Sequence, residues 1–113
     1  MAREPQLNWR LTLEERQRVA DGAGGFTEAW TTLGQLWGEI QTRSAAGGGL
    51  DGGPSSRVRH RITVRGAPEG SAMRPKIGQR MRTGTRLFEV KGVGERDATG
   101  IYLDIWAEEE VLA

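Results

Sequence analysis

The segment Arg57–Arg65, RVRHRITVR, alternates without a break: Val58, His60, Ile62 and Val64 fall on one face, and Arg57, Arg59, Arg61, Thr63 and Arg65 on the other. A period of two is the signature of a strand with one face toward a core. This stretch commits the chain to a sheet. On its N-terminal side Thr32–Arg43, TLGQLWGEIQTR, also reads as strand, and the two are joined by Ser44–Ser56, SAAGGGLDGGPSS. That connection far exceeds the usual hairpin loop of about 2–5 residues. Glycine, alanine and serine offer it no large side chain to bury, and loops of such length in a compact domain usually carry function or stay disordered.

The other strands follow from the same reasoning. Arg10–Val19, RLTLEERQRV, fits a strand by alternation and a short helix through LEERQRVA. The turn material DGAGG that follows at Asp21–Gly25 favours a strand entering a hairpin. In Phe26–Arg43 the interior Gly34 and Gly38 each disfavour helix by about 1 kcal/mol, so a long strand with a bulge near Gly34 is expected, with Leu36, Gly38 and Ile40 on one side and Gln35, Trp37, Glu39 and Gln41 on the other. Gly66–Lys76 is turn material punctuated by Pro68 and Pro75, and Ile77–Met81 begins a short strand. Thr83-Gly84-Thr85 is a tight turn into Arg86–Val93, Gly94–Gly100 a polar turn, and Ile101–Glu109 the last strand, with Leu103, Ile105 and Ala107 facing inward. About six short strands without a long helix describe an all-β chain, a small antiparallel barrel or sandwich. It divides into an N-terminal arm, 1–9, and one domain, 10–113, bearing the extended loop 44–56.

The core should be thin, because hydrophobic residues make up 36% of the 113-residue chain and 17 residues are glycine. A sheet protein of this kind gains stability by burying surface against copies of itself. The net charge is only +1, but residues 57–86 hold nine basic side chains and one acidic, and residues 87–113 hold two basic and seven acidic. A basic middle and an acidic end suit either a nucleic-acid surface or oppositely charged strands facing each other within or between subunits. Arg57, Arg59, Arg61 and Arg65 form the basic face. Trp9, Trp37, Glu108 and Glu110 are the candidates for contact between subunits.

Catalytic constellations are missing. There is no cysteine, and the single histidine, His60, lies on an expected core face, where a hydrogen-bonded structural role is commoner than catalysis. The glycine-rich stretches lack the lysine and hydroxyl of a phosphate-binding loop. Adjacent glutamates at 108–110 point to opposite faces of a strand and do not make a shared metal site. No catalytic, cofactor-binding or metal site is expected. The absence of an apolar run at the N-terminus or of about 18 apolar residues anywhere leads us to expect a soluble, unexported chain without a membrane partner.

Taken in order, RLTLEERQRV, the tryptophan-bearing EAWTTLGQLWGEIQ, the Gly/Ser-rich loop, HRITVR and the closing GQRMRTGTRLFEVKGVGERD with YLDIWAEEEV make the chain resemble the phage head–tail adaptor or joining family, small head-completion proteins of long-tailed phages and of gene transfer agents. The resemblance spans about residues 10–111, and its GAPEGSAMRPKI stretch is longer and richer in proline and glycine than the pattern. It implies a small barrel that forms a homo-oligomeric ring of six or twelve copies. That ring would lie between a portal or adaptor ring on the head side and a tail terminator or tail tube on the other, in a virion or virion-like particle assembled in the bacterial cytoplasm. Double-stranded DNA would pass along the axis, and the loop Ser44, Ala45, Ala46, Gly47, Gly48, Gly49, Leu50, Asp51, Gly52, Gly53 would close that channel. The rival readings are a small OB-like nucleic-acid-binding module that uses the arginine face with Trp37 or Trp106 for stacking, and a tail or baseplate ring component without a gate.

Overall fold

Six strands alternate inward apolar and outward polar residues and close on themselves, as the periodicity requires. The computed structural model describes residues 4–46 and 55–112. In chain order the strands are β1 (Trp9–Ala20), β2 (Phe26–Ala46), β3 (Ser55–Arg65), β4 (Arg80–Thr83), β5 (Arg86–Glu95) and β6 (Tyr102–Leu112). All neighbours are antiparallel, and the order round the closed barrel is β1-β2-β3-β6-β5-β4. The inward positions supply the core: Leu11 and Leu13 from β1, Ile62 and Val64 from β3, Met81 from β4, Phe88 and Val90 from β5, and Leu103, Ile105 and Ala107 from β6. Leu33, Leu36, Ile40 and Val93 pack against them from partly buried positions.

The strands are strongly staggered. Following paired residues once round the barrel from Thr32, through Glu14, Arg80, Glu89, Glu108 and Arg59, returns to β2 at Ser44, twelve residues further along. A large stagger goes with strongly tilted strands. It also leaves the N-terminal end of β2 and the C-terminal end of β1 outside the closed wall as a two-stranded ribbon, Glu15–Ala20 paired with Phe26–Thr31. At about 3.3 Å per residue a straight 21-residue strand would run about 66 Å, beyond the 54 Å longest extent of the molecule, so β2 must curve. Bulges supply the curvature. Leu33 has no counterpart on β1, which is the bulge expected near Gly34, and Arg43 on β2 and Lys91 on β5 are likewise unmatched.

Several boundaries differ from the sequence reading. Ser44, Ala45 and Ala46 are not loop: they continue β2 in register with Arg59, Val58 and Arg57, while Ser55 and Ser56 belong to β3 and pair with Leu112 and Val111 of β6. Pairing on a long neighbour outweighs the poor strand propensity of serine and alanine. What is left of the tract, 47–54, lies outside the described residues, including Gly47, Gly48, Gly49, Leu50, Asp51, Gly52 and Gly53. The short strand begins at Arg80 and not at Ile77, because Lys76 N–H bonds the Gln79 side chain and Gln79 N–H bonds the Lys76 carbonyl, closing a turn first. β5 continues through Gly94 to Glu95, since β6 offers partners as far as Leu103.

Residues 66–79 cross the barrel end from β3 to β4, passing β6 and β5. Gly66 N–H bonds the Ile101 carbonyl at 2.7 Å, and a Cβ on Gly66 would sit 2.1 Å from the Gly100 carbonyl oxygen, so only glycine fits this crossing. Within the segment Pro75 is buried, and Arg74 Nη1 donates to the Ala67 carbonyl at 2.9 Å.

Candidate functional site

Polar groupings surround the core, each set by strand phase. The first is the expected arginine face on β3. Arg59 is paired with Glu108 of β6, and Glu108 takes both Arg57, at 3.4 Å, and Arg59, at 3.7 Å. Arg61 Nη2 donates to Gln41 Oε1 of β2, and its Nε is the one buried side-chain polar atom among the described residues without a partner. Arg65 lies at the other end of β3, 6.0 Å over the Tyr102 ring. The basic and acidic strands therefore face each other within one protomer. Such surface ion pairs contribute about 0–1 kcal/mol each, so this arrangement sets surface charge more than stability.

The second grouping is buried. Glu109 occupies the next inward position of β6 after Ala107, where its carboxylate accepts from Arg86 Nε at 2.8 Å, Arg86 Nη2 at 3.0 Å and His60 Nε2 at 2.9 Å. The bonds from the Arg86 guanidinium, with a smaller share from His60, outweigh the cost of burial and hold the Glu109 carboxyl below its ordinary range, and the carboxylate in turn raises Arg86 against its own burial. Because the carboxylate can only accept, His60 Nε2 carries the proton, and Nδ1 faces the Thr42 hydroxyl at 3.2 Å. His60 stacks edge-on against Phe88 at 5.2 Å, as befits the hydrogen-bonded core histidine expected. Trp9, 5.6 Å from the Arg86 guanidinium, begins β1 and stands against this cluster.

A groove of about 430 Å³ forms the third, lined by Arg16, Trp30, Gly78, Arg80, Leu87, Glu89, Glu108 and Glu110. The stagger of the strands makes it, by bringing the β1–β2 ribbon alongside β5 and β6. Arg80 lies 3.9 Å over the Trp30 ring and is held there by Glu14, which also binds Arg82. Burial would raise the Glu14 carboxyl, but the hydrogen bonds of the two arginines together outweigh it and hold it low. On the opposite wall of the barrel one outward row crosses four strands. Arg10 is paired with Trp37, Val64 with Gly38, and Arg65 with Tyr102, giving Arg10, Trp37, Arg65 and Tyr102 side by side.

The model of the phage head completion protein family matches residues 2–110. The chain belongs to this family. Among solved structures, a chain of the virion of a native gene transfer agent particle is 44% identical, with 97% of this chain and 100% of that one covered and a TM-score of 0.82. Protein SF1141 from Shigella flexneri 2a shares the fold at 20% identity, a TM-score of 0.62, and coverage of 93% and 94%. No curated protein matches.

For a head completion protein of this fold, the sequence-predicted residues fall in different places. Glu108 joins Arg57 and Arg59, Glu110 stands exposed at the groove, Trp37 is 55% exposed on the far wall, and Trp9 sits by the Arg86 cluster. Sequence reasoning missed Trp30, Arg80 and Glu14, which meet only through the stagger. It also missed Glu109, although a signal was present: an acid at the inward phase of an alternating strand requires a buried partner.

Proposed function

We propose that the chain is a head–tail connector, a head-closure protein that forms a ring between a portal or adaptor ring and the tail, with double-stranded DNA passing along the axis and the glycine-rich tract as the gate. The observation that carries the connector role is membership of the head completion family along residues 2–110, joined to 44% identity over the whole length of a chain from a gene transfer agent virion. The role is structural and needs no catalysis. The gate rests on sequence and hairpin geometry: pairing continues to Ala46 and Arg57, so the ends of the tract leave from the extremity of a long hairpin, away from the buried residues. Small residues there present little bulk, and several copies meeting on an axis can occlude a channel that one copy cannot.

Replacing 47–54 with Asn-Gly tests the gate. Loop length alters closure entropy by tenths of a kcal/mol to about one, so the barrel should remain folded. Heads carrying the shortened chain should lose packaged DNA before tails attach, measured as the fraction of DNA-filled particles. Normal retention would leave the tract a passive connector. A second measurement separates this role from an OB-like binding module. Exposed Arg57, Arg59 and Arg65 on the free protein should bind duplex DNA no more tightly than about 10⁻⁴–10⁻⁶ M at physiological salt, without sequence preference, because charge contacts to the backbone give no more. Sub-micromolar, sequence-selective binding would favour the module.

A further inference from the structure

Two outward surfaces of the barrel match each other and not themselves. The row Arg10, Trp37, Arg65 centres on β2, and the groove floored by Trp30 and Leu87 and edged by Glu89 and Glu110 centres on β5. In the order β1-β2-β3-β6-β5-β4, β2 and β5 are three strands apart by either route, so the two surfaces look in opposite directions. A knob on one side and a matching groove on the other is the arrangement of a heterologous contact, which repeats round a ring; a two-fold dimer would join one surface to its own copy.

The chemistry is complementary. Trp37 is 55% exposed, and the flanking guanidiniums make no ion pair among the described residues: Arg10 donates to Gln35 at 2.7 Å, and Arg65 lies over Tyr102. Across the molecule Leu87 is 41% exposed and Glu110 is exposed without a described partner, while Glu89 meets only Lys91 of its own strand, at 3.0 Å. Arg16 and Arg80, which also line the groove, are matched by Glu28 and Glu14. The groove thus offers an apolar floor, an aromatic ring and acceptors for two cations. Aromatic and arginine anchors in such pockets dominate interface energetics.

We propose that the groove takes Trp37 of the next copy of this chain, with Arg10 and Arg65 of that copy set against Glu89 and Glu110, and that this contact closes the ring. The inference rests on the connector reading. It names the two surfaces through which protomers join.

Charge exchange in particles tests it. In cells whose sole copy of the chain carries Arg10→Glu with Arg65→Glu, or Glu89→Lys with Glu110→Lys, tailed DNA-filled particles should fall by about tenfold or more, since like charges opposed across an interface cost several kcal/mol. All four substitutions together should restore particle numbers to within about threefold of wild type, a recovery that lost folding cannot produce. Trp37→Ala gives a second route, with the loss expected again and partial recovery by Trp37→Phe. Either charge pair at wild-type numbers, or a four-fold exchange no better than its halves, overturns the contact. The second outcome would assign these surfaces to a different head or tail protein. Wild-type particles purified without the chain would instead defeat the connector reading itself.

Discussion

Replacing Phe88 by alanine is expected to lower the unfolding free energy by about 3–5 kcal/mol, the cost of a lost aromatic transfer energy plus the cavity left behind. Phe88 is the largest fully buried side chain, and its ring meets His60 edge-on at 5.2 Å while the Arg86 guanidinium lies 4.9 Å from its centre. The surroundings can collapse little, because the walls are strands fixed by pairing on both sides. A domain of this size is stable by about 5–15 kcal/mol, so the substitution removes a large share of the margin. A denaturant titration checks it: the midpoint should fall while the slope stays the same. Phe88→Leu, which keeps most of the volume, should cost less than half as much. A cost for Phe88→Ala near 1 kcal/mol would mean that the core is looser than this packing requires.

Glu109→Ala is expected to cost about 3 kcal/mol, at the low end of the range for breaking a buried ion pair, because Arg86 can turn its partly exposed guanidinium to water whereas His60 cannot escape. The same carboxylate makes stability depend on pH. Its folded-state value lies below the ordinary 4.5, chiefly through Arg86, so its contribution is complete above the ordinary value and is lost as the pH falls through the depressed one. Glu14, held low by Arg80 and Arg82, adds in the same direction. Thermal melting of the wild type should therefore fall steeply on acidification below about pH 4.5, and the gap between wild type and Glu109→Ala should narrow over the same interval. A gap that is constant from neutral to strongly acid pH would show that the charge of Glu109 does not matter.

Much of the barrel was legible because one-sided burial writes a period of two into the sequence. The alternation places Ile62 and Val64, and Leu103, Ile105 and Ala107, on the faces that form the core, and local chemistry gives the Thr83-Gly84-Thr85 turn and the bulge beside Gly34. Alternation alone left barrel and sandwich open, and the pairing that closes the barrel was not legible. It depends on Thr12, Leu13 and Glu14 meeting Arg82, Met81 and Arg80, a pairing between residues far apart in the chain, with Met81 the single apolar cue on β4. The extension of β2 through Ser44–Ala46 escaped notice for a related reason: these residues have little preference of their own and take their conformation from β3. The groove followed neither from propensity nor from alternation. Trp30 and Glu108 become neighbours only when the stagger of the closed barrel is known, and no local pattern encodes that number.

The length of β2 also has a mechanical meaning. One continuous strand belongs to both hairpins, bonded to β1 along Phe26–Gly38 and to β3 along Gly38–Ala46. Interstrand hydrogen bonds stand perpendicular to the strand, so tension along β2 strains many of them at once, whereas a sideways pull on a hairpin tip opens them one by one. The barrel should be stiff along β2 and compliant across it. A push on one hairpin would then travel to the other as the movement of a single rod, while a twist would be absorbed at Leu33 and Arg43, where the ladder already slips by one residue.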